Sequence, residues 1–244
     1  MKTVAIIEAR MKSTRLPGKV LKQIGGKNSI EHIVERLKKV TAISDICIAT
    51  TNHESDDVIE ELANSRNYRV YRGSEEDVLS RVLSAAEALS AEIIVEITGD
   101  CPFVDPILVD QYLEILVSNE LDYVSNNISP TYPDGFDVQV FLTEALKKSS
   151  KASITQAERE HVTMHIRQNP QIFRTLNIIA PKPFRHPSLS VTLDTNEDLE
   201  VLRLILENFR DEGIPDHMEI TKFLLANPEI ASLNSSIQRK GFGI

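Results

Sequence analysis

Four short strand-like runs, at residues 4–7, 46–49, 68–71 and 93–97, alternate with segments whose apolar residues recur at helical spacing. An apolar run of that length, closed by polar residues, reads as a strand covered on both faces. Asn28 with Glu31 has the form of a capping box, and Ile30, Ile33, Val34, Leu37 and Val40 then mark one buried helix face. Ser55 opens the next helix, with Asp56 and Asp57 in its first turn. Residues 75–89 form a third helix, with Val78, Leu79, Val82, Ala85 and Ala86 inside. This alternation predicts an α/β fold with a mostly parallel sheet and helices on both faces. A chain of 244 residues can bury roughly 70–75% of its unfolded surface, so one domain over 1–244 is expected.

The second half is less regular. Residues 106–117 read as a helix and 123–124 as a strand. Tyr132-Pro133-Asp134-Gly135 is a turn signal. Phe136, Val138, Val140 and Leu142 alternate with Asp137 and Gln139, which predicts a strand with one apolar and one polar face. Residues 132–188 are expected to form a small β-arm whose apolar face a second copy covers, giving a homodimer. Thr155 with Glu158 caps a helix running to about Arg167. Residues 173–179 and 189–193 are strand candidates. Thr195 with Asp198 caps a final long helix carrying Leu199, Leu202, Leu206 and Phe209 inward, and the tail from Ser232 is polar.

The loop after the first strand carries Arg10, Lys12, Arg15 and Lys19, in a chain whose formal net charge is -9. Loops at the carboxyl ends of strands in open α/β sheets are where nucleotides bind. Guanidinium forks and an ammonium suit triphosphate oxygens. Ser13, Thr14 and Gly18 keep the loop small enough for backbone N–H groups to approach a ligand. Charge alone fits a solvated basic turn equally well. The loop is no Walker A motif, because Gly18-Lys19 precedes Val20 and the first glycine is missing. The acidic balance and the absence of Trp argue against a nucleic-acid partner. Two cysteines, Cys47 and Cys101, cannot build a disulfide framework. No run of 18 apolar residues predicts a membrane span, and no leader-like segment precedes the first strand. A cytoplasmic protein is expected.

The order Ala9-Arg10-x-x-Ser13-Thr14-Arg15-Leu16-Pro17-Gly18-Lys19 resembles the opening motif of the sugar-acid cytidylyltransferases, which make CMP-Kdo and CMP-sialic acids. The resemblance covers about residues 1–210 and is nearest to the SpsF-type branch of spore-coat polysaccharide synthesis. It implies a nucleotide-diphospho-sugar-transferase fold of GT-A/Rossmann-like type. It also implies transfer of CMP from CTP to a sugar acid, with release of pyrophosphate. Lys19, Arg10 and Arg15 become the catalytic cations. Ala9, Arg10, Met11, Ser13, Arg15 and Lys19 become the nucleotide loop. Gly73 and Ser74, in Arg72-Gly73-Ser74-Glu75, would line the cytidine or ribose side, although Ser74 equally fits a plain helix start.

Asp100 in Gly99-Asp100-Cys101-Pro102 and Asp194 in Leu193-Asp194-Thr195 each follow a strand candidate. Singly, each is an ordinary turn or helix-start acid. As a pair beside a phosphate loop they suit Mg²⁺, which takes one or two carboxylates plus water and phosphate oxygens. The resemblance assigns both as metal ligands. It makes Arg159 and His161, in Glu158-Arg159-Glu160-His161, candidates for the sugar acid, with Asp137 and Gln139 beside them; a solvent-facing helix pair fits Arg159 and His161 as well. His161 and His165 share zinc-pair spacing but lack an accompanying glutamate. The chain departs from its relatives at Ser190, where they often carry Arg, and Arg185 is the nearby substitute. Glu8 and Lys12 are smaller departures. A GT-A glycosyltransferase would share the sheet but show Asp-x-Asp, which is missing here. A non-catalytic nucleotide-sugar binding module could dispense with either acid.

Overall fold

The computed structural model describes residues 1–153, 155–210 and 215–239. Its first half follows the alternation of the sequence: β1 (Thr3–Glu8), a hairpin of β2 (Gln23–Ile24) and β3 (Lys27–Asn28), α1 (Ser29–Leu37), β4 (Ile43–Thr51), α2 (Asp57–Ser65), β5 (Arg69–Gly73), α3 (Val78–Ala88) and β6 (Ile93–Thr98). The second half adds α4 (Pro106–Ser118), β7 (Tyr123–Ser125), β8 (Gln139–Leu142), α5 (Thr143–Ala152), α6 (Gln156–Glu160), α7 (Met164–Gln168), β9 (Thr175–Asn177), α8 (Asn196–Asn208), α9 (His217–Ala226) and α10 (Pro228–Ser232). Among the described residues one seven-stranded sheet runs in the order β5-β4-β1-β6-β8-β7-β9. The first four strands are mutually parallel, β8 is antiparallel to both its neighbours, and β9 is parallel to β7.

Strand alternation divides the apolar residues between two layers. Ala5 and Ile7 of β1 pack into a core with Ile30, Ile33 and Leu37 of α1, Leu108 and Tyr112 of α4, and Leu202 and Ile205 of α8. Val4 and Ile6 face the other way, onto Leu79 and Val82 of α3 and Leu146 of α5. Helices therefore cover both faces, as the mostly parallel α/β reading requires. Asn28 and Glu31 form the expected capping box, as do Thr155 with Glu158 and Thr195 with Asp198.

Several expectations need correcting. Residues 132–188 do not form a projecting arm. β8 lies inside the sheet between β6 and β7, and Phe136, Val138 and Val140 are fully buried within this chain. The apolar face that called for a second copy is thus already covered. The helix after Thr155 stops at Glu160 and restarts at Met164, because the Thr163 hydroxyl turns inward to Gln139 Oε1 at 2.5 Å. Residues 189–193 are extended but join the sheet nowhere; one parallel bridge ties Ser190 to Asp134. Nor is α8 final, since Asp216 and Glu219 form a further capping box that starts α9. The polar tail from Ser232 folds back, burying Asn234; residues 240–244 of it lie outside the described residues.

The segment 189–194 is positioned by the turn at Gly135. Asp134 N donates to Leu189 O at 2.9 Å and Val191 N to Asp134 O at 2.7 Å. Gly135 has φ +102°, and a Cβ there would stand 2.6 Å from Thr192 N and 2.7 Å from Val191 C. Both obstacles are backbone, so Gly135→Ala must shift the segment that carries Asp194. We expect a loss of about 2 kcal/mol or more, lowering the thermal midpoint by roughly 4–8 °C. Differential scanning calorimetry checks this; an unchanged midpoint contradicts it.

Candidate active site

The basic loop leaves the carboxyl end of β1 and is closed on itself. Gly18 N donates to Met11 O at 2.9 Å, with Gly18 at φ +68°, and Leu16 and Val20 are buried as anchors. Its underside is held by Asp56, which is 1% exposed. That carboxylate accepts from Met11 N at 2.8 Å and from Thr51 Oγ1 at 2.6 Å. Burial pushes the carboxyl up, but these hydrogen bonds outweigh it and hold it below its usual value. Asp56 read as a helix-start residue in sequence; its work is to fix the loop.

The loop's cations divide into two pairs. Arg10 and Lys12 stand at the rim, where Glu75 meets them at 3.8 Å and 2.9 Å. Lys19 and Arg15 reach inward. Lys19 Nζ lies 2.5 Å from Asp100 Oδ2 and 2.7 Å from Asp194 Oδ1, and Arg15 Nη2 lies 2.7 Å from Asp194 Oδ2. Two acids 94 positions apart thus meet at one ammonium. Asp100 is placed by the end of β6, where Gly99 N donates to Glu8 O at 2.7 Å. A Cβ on Gly99 would sit 2.7 Å from that same oxygen. Asp194 is placed by Leu193 N, which donates to Asp100 O at 2.8 Å. The convergence therefore comes from a backbone bond between the two acidic segments, not from a second strand end. Burial pulls the Lys19 ammonium down, but Asp100 and Asp194 outweigh it and hold it above its usual value. Burial likewise pushes Asp100 up, and Lys19 brings it below the ordinary range.

These groups line one end of a cleft of about 520 Å³, which Ala9, Ser13, Asp134, Asp137, Glu160, His161 and Arg239 also line. Asp134 is pushed up to about 6 by burial, opposed by Arg239 and reinforced by Asp100 and Asp194. Asp137 is pushed up to about 7, by burial first and by Asp134 second. Glu8, half-buried in the wall of the cleft, and Glu96, buried behind it, face the same side of neighbouring strands. Burial raises both carboxyls, Glu96 well above its usual value.

Other candidates lie elsewhere. The Arg159 guanidinium turns away from the cleft and donates to Ser150 O at 2.8 Å and Ser153 O at 2.9 Å, closing the end of α5. Gln139 is interior, accepting from Tyr123 and Thr163 hydroxyls. Gly73 ends β5 and Ser74 lies in the turn before α3, whose cap is Asp77; the helix starts four residues later than Ser74. Met11 packs its side chain against the core. His165 pairs with Glu158 at 2.8 Å, so it forms no zinc pair with His161. Arg185 donates to Ala180 O and does not replace the missing cation. Arg239 stands there instead, 3.6 Å from Asp134 and 3.9 Å from Asp194. No spacing rule links Arg239 to those acids.

A family model for cytidylyltransferases matches residues 4–227. The chain belongs to the cytidylyltransferase family. This cytidylyltransferase is a CTP-dependent nucleotidyltransferase of α/β nucleotidyltransferase fold. It is 34% identical over 232 residues to the spore coat polysaccharide biosynthesis protein SpsF of Bacillus subtilis, covering 93% of this chain and 95% of that one. It is 34% identical over 119 residues to a 3-deoxy-manno-octulosonate cytidylyltransferase of Trichlorobacter lovleyi, covering 49% of this chain and 46% of that one. The solved structure of a cytidylyltransferase from Leptospira borgpetersenii superposes with a TM-score of 0.90 at 29% identity, covering 98% of this chain and all of that one. Among the described residues no helix is long and apolar enough to cross a membrane.

The raised carboxyl of Asp137 gives a pH signature. In the folded protein it keeps its proton up to about pH 7, whereas its ordinary value is 3.8. The folded state therefore binds the extra proton between those values, and stability falls as pH rises through that window. Asp137→Asn cannot ionise. Without divalent cations its thermal midpoint should match wild type near pH 4 and exceed it by about 3 °C or more at pH 8. The same difference at both pH values would contradict the assignment.

Proposed function

We propose that this cytidylyltransferase couples CMP to a sugar acid of the Kdo or nonulosonic class, for surface polysaccharide synthesis in the cytoplasm. The observation that carries the reading is the meeting of Lys19, Arg15, Asp100 and Asp194 at one end of a cleft whose remaining wall presents Asp137 and His161. The opening motif it shares with sugar-acid cytidylyltransferases supports the substrate class, and the SpsF relative supports the polysaccharide role.

The donor set fits Mg²⁺. Asp100 and Asp194 offer hard oxygen ligands converging on one point, and among the described residues no group of three or more His, Cys, Asp or Glu side chains forms a closed cage. An ion held by these two residues keeps positions for water and phosphate oxygens, as Mg²⁺ does. When bound there, Mg²⁺ supplies charge neutralisation and polarisation at the α-phosphate. The chain's own groups do the rest. The Lys19 ammonium exchanges its carboxylate partners for triphosphate oxygens, and Arg15 and Arg10 neutralise the charge that builds on the leaving pyrophosphate. The sugar hydroxyl attacks the α-phosphorus as its proton passes to water, the bond from that phosphorus to the bridging β-phosphate oxygen breaks, and pyrophosphate departs. Asp137 and His161 orient the sugar. Arg159 and Gln139 are left out of this role because the fold uses them internally.

A homodimer remains our reading, moved to the β9 edge, where Ile172, Leu176 and Ile179 are 44%, 40% and 52% exposed. Light scattering at micromolar concentration should give twice the chain mass; a monomer mass contradicts it. The function is tested by pyrophosphate release across the four NTPs with a panel of ulosonic and nonulosonic acids. Release should require CTP and one acid. Lys19→Ala should lower turnover about a hundredfold or more, and Asp100→Asn and Asp194→Asn more than tenfold, with unchanged circular dichroism. A Lys19→Ala turnover within threefold of wild type, or a preference for a neutral sugar, overturns the reading.

A further inference from the structure

Asp194 does not hold its own position. The backbone N–H groups of Asp194 and Thr195 donate to Asp198 Oδ2 at 3.0 Å and 2.9 Å. Asp198 is fully buried, and a buried carboxylate needs a compensating cation. That cation comes from 41 residues downstream. Arg239 Nη1 lies 2.9 Å from Asp198 Oδ2 and Arg239 Nη2 lies 2.6 Å from Oδ1, a bidentate fork. Asn234, 4% exposed, adds a bond from Nδ2 to Asp198 Oδ1 at 2.7 Å and another to Ser190 O at 3.2 Å. Gln238 O accepts from Arg15 Nη1 at 3.1 Å, while Arg15 Nη2 holds Asp194. Residues 234–239 therefore close a ring: Arg239 to Asp198, Asp198 to the Asp194 backbone, Asp194 to Arg15, and Arg15 back to Gln238.

We propose that Arg239 is a positioning residue for divalent-cation binding, so that the segment 234–239 is part of the catalytic site. It acts through Asp198, which orients the Asp194 carboxylate beside Asp100. The segment has a second effect on the same cluster. Asp100, Asp134 and Asp194 crowd one end of the cleft, with Asp198 buried behind Asp194, and Lys19 and Arg15 are the loop cations that reach it. Arg239 is the third cation, within 4 Å of Asp134 and Asp194 as well as Asp198. Once Lys19 turns to the triphosphate, Arg239 keeps the acids from repelling one another out of register. Arg specifically suits this place, because a planar fork fixes the carboxylate plane and an ammonium does not.

The inference rests on the reading of Asp100 and Asp194 as metal ligands, and the test separates the two. Mn²⁺ binding to the protein saturated with a non-hydrolysable CTP analogue is measured by electron paramagnetic resonance for wild type, Asp194→Asn, Arg239→Ala and Arg239→Lys, with thermal midpoints in parallel. Arg239→Ala should weaken Mn²⁺ binding about tenfold or more while still folded at the assay temperature, and raise the Mg²⁺ concentration needed for half-maximal turnover in proportion. Arg239→Lys keeps the charge and loses the fork. It should fold like wild type, weaken Mn²⁺ binding by about threefold or more, and so carry the test if the alanine variant does not fold. Wild-type Mn²⁺ affinity in both Arg239 variants, with Asp194→Asn impaired, overturns this inference alone. A wild type that binds no Mn²⁺, or an Asp194→Asn variant that binds it normally, overturns the metal assignment and this inference with it.

Discussion

The site depends on one ammonium held between two carboxylates. Asp100 and Asp194 both contact Lys19 Nζ, so their oxygens lie within about 5 Å of each other, where two unit charges would repel by on the order of 3 kcal/mol at an effective dielectric near 20. Lys19 offsets that repulsion, and its own charge is kept by the acids that hold it. On the function proposed above, each partner of the trio exchanges the others for substrate. The fold supplies the geometry at three points. β1 delivers the loop, β6 delivers Asp100, and the backbone bond from Leu193 to Asp100 brings in Asp194. The turn at Gly135 and the fork of Arg239 then keep the Asp194 segment in place.

Much of this was legible in the chain because local rules suffice for it. The apolar runs of β1, β4 and β6, the caps at Asn28, Thr155 and Thr195, and the clustering of four cations in the first loop each need only a few neighbouring residues. Asp100 was visible for the same reason, since it follows a strand directly. Asp194 was placed correctly beside it on a wrong ground. Residues 189–193 have a strand's composition, yet they pair by a single bridge, from Ser190 to Asp134.

What could not be read depends on distant partners. Arg159 has the look of a free cation on a capped helix, but the carbonyls at the end of α5, contributed by Ser150 and Ser153, satisfy it. Alternation at 136–142 predicted a half-covered strand; β8 is inserted between β6 and β7, and Leu108, Val109 and Tyr112 of α4 share the core with Phe136, Val138 and Val140 and supply the missing cover. Gln139 looked like a polar face toward a ligand and instead serves the hydroxyls of Tyr123 and Thr163. Arg239 lies 41 positions from Asp198, a separation that carries no periodic signal at all. The Asp216 and Glu219 box was readable by the same rule as the other caps, and it starts a helix that packs Ile220 and Leu224 into the core.

The central claim is that Lys19 marks the point where Asp100 and Asp194 take a divalent ion beside a triphosphate. Anomalous diffraction from crystals grown with Mn²⁺ and a non-hydrolysable CTP analogue tests it most directly. The account predicts one anomalous peak within about 2.2 Å of oxygens from both Asp100 and Asp194, with Lys19 Nζ moved onto the triphosphate. A peak elsewhere, or Lys19 still bridging the two carboxylates with the nucleotide bound, would contradict it.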